Sequence, residues 1–303
     1  MLRALAVSLA TLAVTVGLCA AETTLPTVTV HSGPCSDTSN RVHNDQPTPH
    51  SNSATGASSV EDSVAENELL QWANENRKRA GVPPLRIEQS LREAAQAHAR
   101  RMVQSGQLEH QLPGELSLLE RIAQVSPLKM DRAGENIAYA SCAPGANEVL
   151  MNSPPHRENL LNPGFNVAGI AAIWSKRRLY VVQDFAHEVP TYSAGQSDKL
   201  VGRAVGEMRQ QAGLPELVQL TPPRLDEAAC SLAKQNHPNA RLLAAAYDNR
   251  RIITYTQSHP ELLPPAALRL LRDPGVRQFA VGACYARNAA YPTGTYWVAI
   301  LLY

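Results

Sequence analysis

Two halves of this chain repeat one another, and that repeat constrains the fold more tightly than anything else in the sequence. The block Arg79-Ala80-Gly81-Val82-Pro83-Pro84-Leu85, followed by Leu91-Arg92-Glu93-Ala94-Ala95, returns as Gln211-Ala212-Gly213-Leu214-Pro215-Glu216-Leu217 and then Leu225-Asp226-Glu227-Ala228-Ala229. Later, Leu161-Asn162-Pro163-Gly164 and a strand carrying Gly169 find partners in Arg272-Asp273-Pro274-Gly275 and a strand carrying Gly282. Self-similarity over so long a period, with helix, helix, loop region and hairpin in one order, implies two domains of one architecture. A length of 303 residues agrees, since one domain takes ~150 residues.

Local patterns fill in the elements. Ser63-Val64-Ala65-Glu66 and Ser90-Leu91-Arg92-Glu93 each read as a capping box opening a helix, the first ended by Gly81 and Pro83-Pro84. The second helix buries Leu91, Ala94, Ala95, His98 and Met102 on one face. Two apolar runs, 167–174 and 179–184, flank Ser175-Lys176-Arg177-Arg178 as an antiparallel hairpin with a solvated basic turn. The fold class is α+β. The divisions read as a signal peptide at 1–21, a disordered leader at 22–63, a first domain at 64–192 and a second at 193–303.

The leader is rich in Ser, Thr, Asn, Pro and Gly and buries too little apolar surface to offset ordering entropy. Its His31, His43 and His50 read as solvated linker residues. Before it, Arg3, an apolar run at 4–18 and small residues up to Ala21 make a cleavable secretory signal. A lipid anchor on Cys19 is the lesser alternative, because Leu18 precedes that cysteine. No later run is long and apolar enough to span a bilayer, so no transmembrane segment is expected. In an oxidising compartment, secreted or periplasmic, the remaining Cys35, Cys142, Cys230 and Cys284 are expected to form disulfides. Shared location in the second half favours Cys230 with Cys284, leaving Cys35 to Cys142. With 28 basic against 27 acidic residues there is no general field for nucleic acid.

Residues able to do chemistry collect in the first half. Aligning the two copies puts His156 opposite Ala267, Glu158 opposite Arg269 and His98 opposite Leu232. His110, Glu135 and His156 fall in or beside loops marked by Gly114, Gly134 and Pro154-Pro155. Two neutral imidazoles and a carboxylate can hold a divalent transition metal with an open position, or act as acid and base. The plain alternative is two surface histidines and a helix-capping Glu135, since no local spacing forces the three together. His98, on an apolar helix face, reads as a core residue outside the site.

The order Ala97-His98-Ala99, His110, Gly134-Glu135-Asn136-Ile137-Ala138 and Asn152-Ser153-Pro154-Pro155-His156-Arg157-Glu158-Asn159-Leu160-Leu161-Asn162-Pro163 resembles the CAP superfamily in its short bacterial form. This is the group of cysteine-rich secretory, antigen and pathogenesis-related proteins, and the likeness runs over about 64–186, with 193–303 as a second, degenerate copy. The resemblance implies an α-β-α sandwich whose cleft gathers His110, Glu135 and His156, often around a divalent metal such as zinc, with no organic cofactor. Eukaryotic relatives carry a second cleft glutamate. Here the comparable stretch is Asn152-Ser153-Pro154, and Glu158 does not match its position. Leu150 stands where bacterial relatives commonly have tryptophan. Members bind proteins, lipids or cell-envelope ligands. A non-enzymatic binding module is therefore expected, with a metal-dependent hydrolase using Glu135 and metal-bound water, or a lipid-binding protein, as alternatives.

Overall fold

The computed structural model describes residues 59–247 and 250–303. The signal segment, nearly all of the leader and the Cys35 pairing lie outside the described residues. The chain divides into two compact units, one holding residues 59–128 and 132–188, the other 129–131 and 189–303.

The first unit runs β1 (Ser59–Glu61), α1 (Ser63–Arg79), β2 (Arg86–Ile87), α2 (Gln89–Ser105), α3 (Leu118–Val125), β3 (Met130–Ala140), α4 (Ala143–Asn152), α5 (Pro154–Leu160), β4 (Val167–Ser175) and β5 (Arg178–Glu188). Its sheet has the order β1-β4-β5-β3, with β2 pairing parallel to β4. Strand alternation explains why helices cover both faces. Ile170, Ala172, Leu179 and Val181 pack with Ala65 and Leu69 of α1 and Ala146, Val149 and Leu150 of α4. Their neighbours Ala171, Ile173, Tyr180 and Val182 pack with Ala95, Ala99 and Met102 of α2. The result is an α-β-α sandwich.

Two helix starts differ from the expected capping boxes. The cap of α1 is Asp62, whose Oδ1 accepts from the Ala65 amide at 3.0 Å while Oδ2 accepts from Trp174 Nε1 at 3.0 Å. One carboxylate thus caps the helix and ties it to β4, and Ser59–Glu61, expected within the leader, pairs with β4 as a strand. The cap of α2 is Glu88, which accepts from the Leu91 amide at 3.0 Å and from the Ser90 hydroxyl. Ser90 therefore supports the cap without being it. Gly169 is required by contact: a Cβ there would lie 2.1 Å from the Leu91 carbonyl carbon, so α2 sits directly on β4.

The second unit contains α6 (Ala194–Gln211), β6 (Val218–Leu220), α7 (Leu225–Lys234), α8 (Arg241–Ala244), β7 (Arg251–Gln257), α9 (Pro265–Leu271), β8 (Gln278–Ala286) and β9 (Thr295–Leu302). Its sheet order is β6-β8-β9-β7, with β6 parallel to β8 and β8 antiparallel to β9. Val298 and Ile300 face α6 and α9, while Trp297, Ala299 and Leu301 face α7. Gly282 meets Leu225 as Gly169 meets Leu91, with a Cβ falling 2.4 Å from the carbonyl carbon.

Cys230 of α7 and Cys284 of β8 are disulfide-bonded across 54 residues of sequence. By the chain-entropy argument, closing such a loop is worth about 4 kcal/mol. A Cys230→Ala/Cys284→Ala variant should unfold the second unit at clearly lower temperature in calorimetry, while the transition of the first unit stays put.

Candidate functional site

A buried carboxylate organises the polar residues of the first unit. Glu135 lies within β3, neither in a loop nor at a helix end, and its side chain is almost fully enclosed. Its Oε1 accepts from His110 Nδ1 at 2.8 Å, and its Oε2 accepts from Arg121 Nη2 at 2.7 Å. His110 comes from the segment between α2 and α3, and Arg121 from α3. Burial pushes the Glu135 carboxyl up, but the His110 hydrogen bond and the Arg121 charge outweigh it and hold the pKa at about 2.

His98 belongs to this cluster, contrary to the expectation that it is only a core residue. Its ring is fully buried on α2, with Nδ1 3.0 Å from Glu115 Oε1 and Nε2 3.8 Å from Glu135 Oε2. Glu115 also accepts from the Leu112 amide at 3.0 Å, and Arg101 Nε lies 3.3 Å from it. The apolar stripe that placed His98 in the interior is real, but the interior at that point is polar. Asp184 of β5 completes the group. Burial, then the charge of Glu135, raise its pKa well above the ordinary range. Of two adjacent carboxyl groups, the one facing Arg121 takes the charge.

The motif around Glu135 has a separate packing role at each position. At Gly134 a Cβ would fall 2.6 Å from Asn159 Oδ1 and 2.9 Å from Phe165 Cζ. Asn136 Nδ2 donates to the His156 carbonyl and to Gln183 Oε1, both at 3.1 Å, and its Oδ1 accepts from Asn159 Nδ2 at 3.1 Å. Asn159 Nδ2 also donates to the Glu135 carbonyl at 3.1 Å. These bonds fix the first turn of α5, where His156 sits fully buried. Glu158 on the same helix points to solvent and takes no part.

Both ring nitrogens of His156, and Nε2 of His110, are buried without a hydrogen-bond partner. Burial first, and then the nearby His110 ring, lower the His156 pKa, so its imidazole is neutral at pH 7 and offers a lone pair. The Nδ1–H···Oε1 bond to Glu135 fixes the other tautomer question, leaving Nε2 of a neutral His110 as a free acceptor. Sequence reasoning did not single out Glu115, Arg121 or Asp184. Nothing local marks them, because each meets the site only through tertiary contact.

Residues 70–185 match the cysteine-rich secretory protein family, CAP. This part of the chain is a CAP domain. It is 31% identical over 123 residues to the uncharacterized protein YkwD of Bacillus subtilis, covering 38% of this chain and 47% of that protein. It is 30% identical over 123 residues to the uncharacterized membrane protein YlbC of the same species, over 40% of this chain and 34% of the relative. The chain thus spans less than half the length of either relative. Among solved structures, an extracellular SCP-domain protein from Bacillus anthracis is 27% identical over 41% of each chain, with a TM-score of 0.37. Among the described residues no helix is long and apolar enough to cross a membrane.

Two outcomes test the electrostatics of the CAP domain. Arg121→Met leaves Glu135 buried without its arginine partner, and breaking a buried pair in this way costs ~3–5 kcal/mol. Urea unfolding of the full chain should show that loss in the CAP-domain transition. Burial also lowers the pKa of His98, as it does for His156. The unfolded chain therefore takes up these protons first, near pH ~6.5, and stability falls as the pH drops from there towards the lower folded values. Hydrogen exchange of α2 should quicken, after correction for intrinsic rates, between pH 7.5 and 5.5; unchanged protection would contradict the assignment.

Proposed function

We propose that the CAP domain is an exported binding module whose cleft holds a divalent transition metal through His110 and His156, with zinc favoured by the imidazole ligands. The observation that carries this is the buried ring nitrogens with no partner, two on His156 and one on His110; Nε2 of His98 is also without a hydrogen-bond partner but lies 3.8 Å from Glu135 Oε2. A neutral imidazole offers such an ion a lone pair. The bound metal would supply open coordination positions for a donor atom of the binding partner. Glu135 serves a supporting role here, since one oxygen receives His110 and the other Arg121. That bond holds the His110 ring by Nδ1 and leaves Nε2 without a hydrogen-bond partner, as a carboxylate does behind a metal-binding imidazole. The hydrolase reading loses support for the same reason: a carboxylate held at about 2 is a poor general base near neutral pH. The partner class remains protein, lipid or cell-envelope component, and the secretory pattern at 1–21 supports an extracytoplasmic place of action.

The second unit, in this reading, is a CAP-like copy without a site. Its sheet order parallels the first, and Arg209 donates to the carbonyls of Pro215, Leu271 and Asp273 as Arg77 does to those of Pro83, Leu160 and Asn162. Ala267 and Leu232 stand where the first copy has His156 and His98. Calorimetric titration of the full chain with Zn²⁺ should give one equivalent. Loss of a supporting group behind a metal ligand typically costs 10–100-fold in affinity, and Glu135→Gln should fall in that range. His156→Ala should lose more. Unchanged stoichiometry and affinity in a folded His110→Ala/His156→Ala variant would overturn the metal assignment.

A further inference from the structure

The β4–β5 turn of the CAP domain carries charge that the fold itself does not use. Ser175 pairs with Arg178, so Lys176 and Arg177 form a two-residue hairpin connection. Lys176, Arg177 and Arg178 are all exposed, and among the described residues none of them pairs with a carboxylate. Arg178 sits over the Tyr139 ring, its Cζ 4.8 Å from the centroid, which orients the guanidinium without neutralising it. Lys176 has a φ of 56°, in the left-handed region that such a turn normally gives to glycine or asparagine. A lysine there costs stability that a glycine would not. The matching β8–β9 connection, 287–294, is longer and carries a single cation, Arg287.

Exposed apolar side chains lie beside this turn. Ser59 of β1 is opposite Ser175, Val60 is opposite Trp174, and Trp174 is opposite Leu179. Residues opposite one another share a face of the sheet, so Val60 is on the side where Trp174 and Leu179 pack with α1 and α4. Val60 is nonetheless 57% exposed. Val64, in the first turn of α1, is 47% exposed, and the cap of that helix, Asp62, holds the Trp174 indole. The acids of this segment are already engaged. Glu61 pairs with Arg100, and the two oxygens of Asp62 go to the Ala65 amide and to Trp174, so neither offsets the cations of the turn.

We propose that this end of the CAP domain docks on an anionic phospholipid surface, with Lys176, Arg177 and Arg178 against the headgroup phosphates and Val60 and Val64 at the boundary with the acyl chains. The cations supply the attraction and the valines the reason for a bilayer: a soluble polyanion would match the charges but leave the apolar side chains in water. With 28 basic and 27 acidic residues in the whole chain, the attraction is local to the turn. It fades within a Debye length of ~8 Å at physiological ionic strength, so it acts only in contact. This surface does not rest on the metal reading, since none of its residues belongs to the cluster around Glu135.

Co-flotation of the chain as exported, with a chelator present, on vesicles of phosphatidylcholine with and without one third phosphatidylglycerol tests this. Binding should need the anionic lipid and should weaken as the salt is raised from 50 to 500 mM. A basic residue beside an anionic leaflet contributes about fivefold to partitioning, so Lys176→Gly/Arg177→Ser should bind about 25-fold more weakly. That variant relieves the positive φ, and its CAP-domain transition should shift to a higher temperature, which separates lost binding from lost folding. Val60→Ser should weaken vesicle binding severalfold and leave binding to soluble polyphosphate unchanged. Equal binding to phosphatidylcholine alone, or wild-type binding by Lys176→Gly/Arg177→Ser, overturns the proposal. Wild-type vesicle binding by Val60→Ser overturns it too, in favour of a soluble polyanion.

Discussion

Two loops of the CAP domain are held by one buried cation. Arg77, on the last turn of α1, is fully enclosed and spends its guanidinium on backbone carbonyls: Pro83 at 2.7 Å, Leu160 at 2.8 Å, Asn162 at 3.0 Å and Phe165 at 2.8 Å. Those carbonyls belong to the turn after α1 and to the loop that ends α5, so a single side chain sets the distance between two connections far apart in sequence. The planar fork of arginine suits this, and the shorter reach of lysine's single ammonium does not. Desolvation lowers the Arg77 pKa, but an arginine has so much margin that it stays charged.

The second unit has a matching buried arginine. Arg209 repeats the contacts to Pro215, Leu271 and Asp273, although its Nη2 has no partner where Arg77 reaches Phe165. One difference between the units lies in the connection between the second helix and the next strand. In the CAP domain that connection, between α2 and β3, supplies His110, Glu115 and Arg121. In the second unit the stretch between α7 and β7 is shorter and carries α8. In the CAP domain that connection brings His110, Glu115 and Arg121 to Glu135 of β3 and His98 of α2.

What the sequence disclosed differs between the framework and the site. The Gly-Val-Pro and Asn-Pro-Gly blocks were readable as a repeat because they are the loops on which the arginines close, and the two strand glycines because no side chain fits against the helix start. The hairpin turn at 175–178 was legible from its polarity. The caps were not: Ser63 and Ser90 fitted the pattern, yet Asp62 and Glu88 do the capping because each also meets a group distant in sequence or beside it, Trp174 for one and Ser90 for the other. At the site, His110, Glu135 and His156 stood out by residue type. Placing Glu135 in a strand, and recognising Glu115, Arg121 and Asp184, required knowing which faces meet. His98 shows the limit of periodicity, which reports burial but says nothing of whether the buried neighbour is a methyl group or a carboxylate.

The strand orders β1-β4-β5-β3 and β6-β8-β9-β7 have a consequence for how the chain is made. In each sheet the two central strands are the last to be synthesised, and the outer strands come first. Neither sheet can assemble from its early pieces, because β1, β2 and β3 have no partner until β4 and β5 arrive, and β6 and β7 must wait for β8 and β9. Each unit therefore stays open on the ribosome until its final hairpin emerges, and closes in one step around it. A chain cut before that hairpin loses the middle of its sheet, not an edge.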